Sequence, residues 1–462
     1  MIERTFSRRD FLATTSAALA VGAIPGCSPP GGSAASLIRE PDDIEPVVDP
    51  GSLEKPDLRV GFVPVNDCAP FAVAYTRGLF RKYGLRVTLS RESSWATSRD
   101  GVIFGRLDAA PVVVGAVVNA RTGAEGAVPA PLCAAMTIHR HGNAITMNRE
   151  MWEAGIRPLH EYGGDLDRLG ADLRHYFARL RPQERTVAVV LSSAIYEYFV
   201  RYLLHAGGMD SRRDFRIMII PPPQMVTNMR IGAMHAYMVA EPWNTRAIEG
   251  NEGVGFTFAH GSELWRGHPD RVLAVTEDFI ERNPRTYRSL VKAMIEACQW
   301  CDRPENREEL ARLVSARAFT GADARFTRAA LVGDYAYGGF DGAERRKDLP
   351  DATLFFDLPP DVKGHPDDHS TFMWHSQALW MVTQAARWGQ LPDFPVDAET
   401  KVRLAWRTDL YRDIAEELEI LCPPEDMKSE PGSRFFDGRP FDPSDPVGYL
   451  RGLVHPSVSR TP

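Results

Sequence analysis

From about residue 58 onward, the hydrophobic positions of this chain switch repeatedly between two spacings. The run LRVGFVPV is short, continuous and apolar, which predicts a buried strand. FAVAYTRGLFRKYG then has apolar residues at helical spacing and ends at Gly84, so it predicts one helix. Strand and helix patterns alternate through RVTLSRE, ITMN, TVAVVL, IYEYFVRYLLHAGG, FRIMII and HAYMVA, and the last third, from about Glu281, is mainly helical. The pattern predicts an α/β chain with mixed, mainly parallel sheets and a helical C-terminal region.

The first residues follow a different pattern. A basic start, a short apolar stretch and small residues ending at Cys27 predict a signal peptide over residues 1–27. SRRDFL resembles the twin-arginine export consensus, and IPGC resembles a lipidation site at Cys27. Residues 28–56 are rich in Ser, Pro, Gly and acidic residues, which predicts a flexible tether. We expect an exported protein, lipid-anchored on the periplasmic face of the cytoplasmic membrane.

Composition excludes several kinds of protein. The formal net charge is −7 and the basic residues are scattered, which argues against nucleic-acid binding. Six cysteines in 462 residues are too few for a disulfide framework. Cys298 and Cys301 form a CxxC within a helical pattern, and no second pair supplies further metal ligands, so we interpret them as two apolar side chains. Their oxidation state stays open, and we expect neither cofactor nor metal.

Several segments together resemble one known family. RVGFVPVNDCAPFAVAYTRGLFRKYGLRV, SWATSRDGVIFGRLDAA, IIPPPQMVTNMRIGAMHAYMVAEPWNTRAI and GSELWRGHPDRVLAV occur in the order found in nitrate- and bicarbonate-binding proteins of ABC importers. The resemblance implies a two-lobed periplasmic binding protein type II fold that closes on its ligand. Lobe 1 would comprise residues 57–155 and 265–462, and lobe 2 residues 156–264. It also implies a non-enzymatic protein that captures nitrate or nitrite and delivers it to a permease.

The resemblance further implies which residues contact the anion. Trp95 matches a family tryptophan whose indole N–H points at the ligand. Asn143 stands where the nitrate binder has glutamine, Tyr196 where it has histidine, and Arg271 where it has lysine. A guanidinium suits bidentate capture of a planar oxyanion. A backbone N–H near Ala240 is the fifth expected contact.

Three residues are weaker candidates. Arg99 is a second positive side chain, and Ser193 lies at a helix start that favours an anion. Glu241 either contacts the ligand or is a hinge carboxylate paired with a basic side chain. His139 and His141 flank Asn143, and we expect both in an exposed loop.

Alternatives remain at this stage. The same scaffold could bind bicarbonate, cyanate or a sulfonate, although the basic Arg271 favours a calcium-free, nitrate-like site. An enzyme related to the thiamine-pyrimidine synthases would need a histidine- and cysteine-rich site, and no catalytic motif occurs in the expected context. A cytoplasmic nitrate sensor would have no use for an export signal. The ligand, the permease and the oligomeric state are left open.

Overall fold

The strands belong to separate sheets contributed by different stretches of the chain. The computed structural model describes residues 40–210, 212, 214–250 and 253–453, so the predicted signal peptide and Cys27 lie outside the described residues. The strands are β1 (Asp57–Phe62), β2 (Arg86–Arg91), β3 (Ala110–Val113), β4 (Leu132–His141), β5 (Asn143–Asn148), β6 (Thr186–Val189), β7 (Arg216–Ile219), β8 (Ala236–Ala240), β9 (Gly255–His260), β10 (Pro269–Thr276), β11 (Asp334–Ala336), β12 (Arg346–Asp348) and β13 (Thr353–Leu354).

Helices surround these strands and dominate the C-terminal third. They are α1 (Ala69–Thr76), α2 (Leu79–Lys82), α3 (Trp95–Ile103), α4 (Ala116–Thr122), α5 (Arg149–Glu153), α6 (Leu166–Phe177), α7 (Ile195–Ala206), α8 (Met225–Arg230), α9 (Trp243–Glu249), α10 (Gly261–Leu264), α11 (Glu277–Arg282), α12 (Pro284–Asp302), α13 (Arg307–Ser315), α14 (Ala324–Val332), α15 (His375–Arg387), α16 (Ala398–Ala405), α17 (Thr408–Glu416) and α18 (Pro446–Leu453). Within the described residues, no helix has the length and apolar character needed to cross a bilayer.

Two sheets are large enough to organise a core. One has the order β13-β4-β10-β3 and the other the order β7-β6-β8-β5-β9, while β1-β2 and β11-β12 form pairs. Parallel pairing occurs between β1 and β2 and on both sides of β6, and the other paired strands are antiparallel. The sheets are mixed as predicted, but the expectation of mainly parallel pairing is wrong. A continuous apolar run marks a buried strand without encoding its direction.

The chain passes between the two large sheets at two places. β4 of the four-stranded sheet continues into β5 of the five-stranded sheet through Gly142, whose φ is +77°. The return runs from β9 through α10 to β10. Both passages therefore lie beside β4 and β10, which are antiparallel neighbours. This crossing is where the candidate site is found. The predicted lobe boundaries at 155/156 and 264/265 stay a prediction.

Residues 40–56 pack onto the body, which differs from the predicted flexible tether. Glu40 is buried and forms an ion pair with Arg81 at 2.8 Å. Leu53 is buried, and the Glu54 carboxylate accepts from the Thr286 amide at 3.0 Å. A polar segment can be ordered in this way when ion pairs and hydrogen bonds to a folded surface replace apolar burial.

The predicted helix ending at Gly84 is also interrupted. Gly78 has a φ of +66° and separates α1 from α2. A side chain at this position would meet Ile44, since its Cβ would lie 2.5 Å from Ile44 Cγ1. The break therefore gives room for the N-terminal segment described above.

Aromatic side chains join the C-terminal third to the rest of the core. Trp265 stacks on Phe435 with ring centroids 5.1 Å apart, and Trp380 lies 4.6 Å from Trp265. Contacts of this kind contribute about 0.5–1.5 kcal/mol each beyond area burial. Cys298 and Cys301 lie on α12, are free and are buried, as the helical interpretation of the CxxC predicted.

Candidate functional site

A buried guanidinium lies at the centre of the site. Arg271 is on β10, where it pairs in register with His139 of β4, and it is fully buried. Its Nε lies 2.7 Å from Asp67 Oδ2, and one terminal nitrogen lies 2.8 Å from Asp270 Oδ1. The other terminal nitrogen donates to the Tyr196 hydroxyl at 2.7 Å. All three nitrogens of the guanidinium therefore have partners in the protein.

Three further contacts complete this cluster. The Tyr196 hydroxyl donates to Asp270 Oδ2 at 2.9 Å. His139 Nε2 lies 3.2 Å from Asp67 Oδ1 and 3.6 Å from Asp270 Oδ2. Asp67 arrives from a buried 3₁₀ turn, Asn66–Cys68, that follows β1. Residues far apart in sequence thus converge because each lies near one end of a strand, or in a turn or helix start that follows a strand.

Asp67, His139 and Asp270 bring carboxylate and imidazole atoms within 4.8 Å of one another. Such convergence requires positive charge between the carboxylates. Arg271 supplies that charge, because its guanidinium bridges both carboxylates directly. We therefore assign no metal to this cluster.

Two aromatic rings enclose the guanidinium. The Arg271 Cζ lies 4.1 Å from the centroid of the Trp95 ring and 5.0 Å from that of Tyr196, distances typical of cation–π contact. Trp95 begins α3, where Ser94 Oγ accepts from the Thr97 amide at 3.1 Å and caps the helix. The Trp95 indole nitrogen is buried and has no hydrogen-bond partner among the described residues. It is a donor available to a ligand.

Burial and the shared guanidinium give the two carboxyl groups, Asp67 and Asp270, different pKa values. Burial raises the pKa of Asp270 to about 6, with Arg271 and His139 opposing the rise. For Asp67, burial is outweighed by the charges of Arg271 and His139, so its pKa lies below the usual value. Burial raises the pKa of Tyr196 well above its usual range, so the phenol stays neutral. Asp67 is thus the charged partner of Arg271, and Asp270 is the carboxyl group more ready to take a proton.

Asn143 and Ala240 lie at the passage between the sheets. They are cross-strand partners in the β5–β8 ladder. Asn143 Nδ2 donates to the His141 carbonyl at 3.1 Å and to His268 Nε2 at 2.9 Å. The Asn143 side-chain oxygen is buried and without a partner among the described residues. The observed hydrogen bonds of Asn143 therefore go to the passage rather than to Arg271.

Glu241 follows β8 directly and is fully buried. Its carboxylate accepts from the Tyr335 hydroxyl and from the Thr245 amide, and burial raises its pKa. The expected basic partner is therefore replaced by two neutral donors. The Glu241 carbonyl accepts from the Asn66 amide at 2.7 Å, which ties the turn that holds Asp67 to the passage.

The expectation that His139 and His141 lie in an exposed loop is wrong, because both belong to β4 and are fully buried. His141 Nδ1 donates to the Asp351 carbonyl at 2.8 Å, and its Nε2 accepts from the Gly267 amide at 2.7 Å. These two partners require a neutral imidazole. Burial accordingly lowers the pKa of His141 well below its usual value.

The two remaining candidates have partners of their own. Arg99 lies one turn after Trp95 on α3, and its Nε donates to Asp100 Oδ1 at 2.8 Å. Ser193 has a φ of +54°, its hydroxyl donates to the Glu125 carbonyl, and its amide donates to Glu197 Oε2 at 2.8 Å.

The structure thus brings together Trp95, Tyr196 and Arg271 of the predicted contact residues. It adds Asp270, which sequence reasoning missed. The available signal was the position of Asp270 at the start of an apolar strand, directly before the candidate arginine.

Comparison with known proteins shows the family to which this chain belongs. Residues 51–315 match the NMT1-like family. The nitrate/nitrite-binding protein NrtA of Synechococcus elongatus is 30% identical over 414 residues, which cover 87% of this chain and 87% of that protein. The nitrate import ATP-binding protein NrtC of Synechocystis sp. is 34% identical over 88% of this chain, but the chain spans only 57% of that protein.

Comparison of the fold with solved structures agrees with these sequence relationships. The crystal structure of the periplasmic nitrate-binding protein NrtA from Synechocystis superposes with a TM-score of 0.76 at 27% identity, covering 87% of this chain and 99% of that chain. The expected periplasmic binding protein fold is thereby confirmed. A bicarbonate-binding protein, CmpA of Synechococcus sp., is also related. The chain belongs to the NMT1-like family and is homologous to nitrate/nitrite-binding and bicarbonate-binding proteins.

Proposed function

We propose that this protein is the substrate-binding component of an ABC importer, and that it captures nitrate or nitrite outside the cytoplasmic membrane and delivers it to a permease. It performs no chemistry on its ligand. Its two lobes meet at the passages through Gly142 and α10, and closure buries the anion between them. The homology to nitrate/nitrite-binding importer proteins over most of the chain supports this proposal.

The observation that carries the proposal is the pairing of Trp95 with Arg271. An oxyanion removed from water needs nearby donors and positive charge. The buried indole N–H has no protein partner among the described residues, and it belongs to the ring that covers the guanidinium. A planar anion beside Trp95 would receive this donor while remaining close to the positive charge.

Titration calorimetry with nitrate, nitrite, bicarbonate with and without calcium, cyanate and taurine tests the ligand. We expect nitrate or nitrite to bind. Trp95→Phe keeps a ring over Arg271 but removes the N–H, so it should weaken binding by about 10- to 100-fold, the effect of one lost hydrogen bond to a charged group.

Trp265→Phe is the matched control. Trp265 is also fully buried with no partner for its indole nitrogen among the described residues, but it stacks on Phe435. Its substitution should leave anion binding unchanged. Heat from taurine alone, or equal losses in both variants, would contradict the proposed site.

The proposal includes twin-arginine export and lipidation of Cys27. Detergent-phase partitioning of the native protein and of Cys27→Ser tests both. We expect the processed native protein in the detergent phase and the variant in the aqueous phase. An unprocessed cytoplasmic protein would show that the assigned location is wrong.

A further inference from the structure

The charges of the buried cluster do not balance for an anion. Asp67 and Asp270 contribute two carboxylates, and Arg271 contributes one positive charge. Tyr196 is a neutral phenol, and every one of these side chains is buried. With both carboxylates ionised, the cluster carries one negative charge more than Arg271 neutralises. A monoanion placed beside it would bring a second negative charge next to these buried groups, which is strongly unfavourable.

The guanidinium cannot offset this excess by changing partners alone. Its three nitrogens bind Asp67, Asp270 and Tyr196 at 2.7–2.9 Å. Turning Arg271 toward a ligand would leave a buried carboxylate without its counter-ion. A proton delivered to the carboxylates removes the excess charge and leaves the cation free to face an anion.

We propose that the pocket takes its anion together with a proton held on the Asp270 carboxyl group beside His139, and that Asp270 is the residue that sets this coupling. The inference rests on the proposed anion-binding function. Asp270 faces Arg271 from its own strand, His139 from β4, Asp67 from the turn after β1, and Tyr196 from α7. The cluster therefore contains one more acidic group than its cation can neutralise, placed beside an imidazole.

The geometry provides a place for the proton. His139 Nε2 lies 3.6 Å from Asp270 Oδ2, and the same oxygen already accepts from the Tyr196 hydroxyl. Burial raises the pKa of Asp270 to about 6, so this carboxyl group takes up a proton more readily than an exposed aspartic acid. A nearby anion favours the protonated form further, because it removes a like charge.

Nitrate calorimetry across about pH 5.5 to pH 8.5, in two buffers of different protonation enthalpy, tests the inference on the purified protein. We expect proton uptake approaching about one per nitrate above neutral pH, and an affinity that falls by up to about tenfold per pH unit there. Asp270→Asn removes the carboxylate at nearly the same size. Its nitrate affinity should be nearly independent of pH and stronger than that of the native protein at the alkaline end.

Asp302→Asn is the matched control. Asp302 is also buried and paired with an arginine, Arg307, and it accepts from the Phe356 amide at 2.8 Å. This variant can lose stability, but its nitrate binding should keep the pH dependence and proton uptake of the native protein. If Asp270→Asn does not fold, the two-buffer comparison on the native protein decides alone.

The outcomes separate the two proposals. Nitrate binding with the same heat in both buffers and the same affinity across the pH range would overturn the proton coupling and leave anion binding intact. Binding that requires calcium after treatment with a chelator would also overturn it, because a metal ion would then balance the charge. No heat from any anion at any pH would refute the proposed function, and the coupling with it.

Discussion

Tyr196 gives the sharpest test of the buried cluster. Its hydroxyl accepts from the Arg271 guanidinium at 2.7 Å and donates to Asp270 Oδ2 at 2.9 Å. Tyr196→Phe removes both hydrogen bonds without opening a cavity larger than one oxygen atom. The buried N–H and the buried carboxylate oxygen each lose a partner.

The expected loss follows from those two bonds. A hydrogen bond to a charged group contributes about 1.5–3 kcal/mol, so losing both should lower the free energy of unfolding by about 3–6 kcal/mol. Tyr237→Phe is the matched control, since the buried Tyr237 hydroxyl donates to the neutral Trp243 carbonyl. We expect a loss of about 1 kcal/mol there.

Urea unfolding followed by tryptophan fluorescence measures both variants. The Tyr196→Phe loss should shrink between about pH 7.5 and pH 5. A carboxyl group whose native pKa is raised stabilises the fold most below its unfolded pKa, and this contribution is lost as pH rises through the native pKa. Asp270 has such a raised pKa, about 6, and the Tyr196 hydrogen bond lowers it, so the variant should keep the proton to a higher pH. Equal losses in the two variants, or a loss for Tyr196→Phe below about 1 kcal/mol, would refute a charged hydrogen-bond network.

Three further predictions concern other parts of the molecule. Burial lowers the pKa of His268 to about 3, so the stability contributed by its neutral form is lost as pH falls from about 6.5. His268→Gln should therefore reduce the slope of the unfolding free energy against pH by about 1.4 kcal/mol per pH unit near pH 5. An unchanged slope would contradict this prediction. Burial raises the pKa values of the Cys298 and Cys301 thiols; mass spectrometry after brief alkylation should show them unmodified until the protein unfolds, whereas Cys422, which is only partly buried, reacts first. Gly78→Ala should lower the free energy of unfolding by about 1–2 kcal/mol because Gly78 has a positive φ. If proteolysis near the N-terminal segment were no faster in this variant than in the native protein, the packing described for Ile44 would be contradicted.

Helices and strands with a clear hydrophobic period were predictable from sequence. The segment that forms α7 has apolar residues at helical spacing, although nine of its twelve residues are buried. Strand direction was not predictable, because β5 pairs antiparallel with both its neighbours and a short apolar run has the same composition in either direction. Element type depends on local periodicity, whereas pairing depends on residues brought from far along the chain.

The candidate site likewise depends partly on local sequence and partly on residues from distant parts of the chain. Trp95, Tyr196 and Arg271 could be selected through resemblance, but their contact with one another depends on tertiary packing. Asp270 and His139 were harder to predict as site residues, because HPDR and HRHG are polar sequences that favour a surface position. Both lie inside because the antiparallel register of β4 and β10 places these polar residues side by side in the interior. Buried polar residues of this kind are recognisable only once their partners are known.

The passage through Gly142 depends on a distant part of the chain. The Gly142 amide donates to the Ala352 carbonyl at 2.7 Å, and His141 Nδ1 donates to the Asp351 carbonyl. Both acceptors lie beyond residue 315, where the match to the family ends. Shortening the chain to the family length would therefore leave an imidazole and an amide unsatisfied at the passage between the two sheets. The C-terminal third therefore supplies hydrogen-bond acceptors to the connection between the two large sheets, and a shortened form of this chain must retain them if that connection is to stay satisfied.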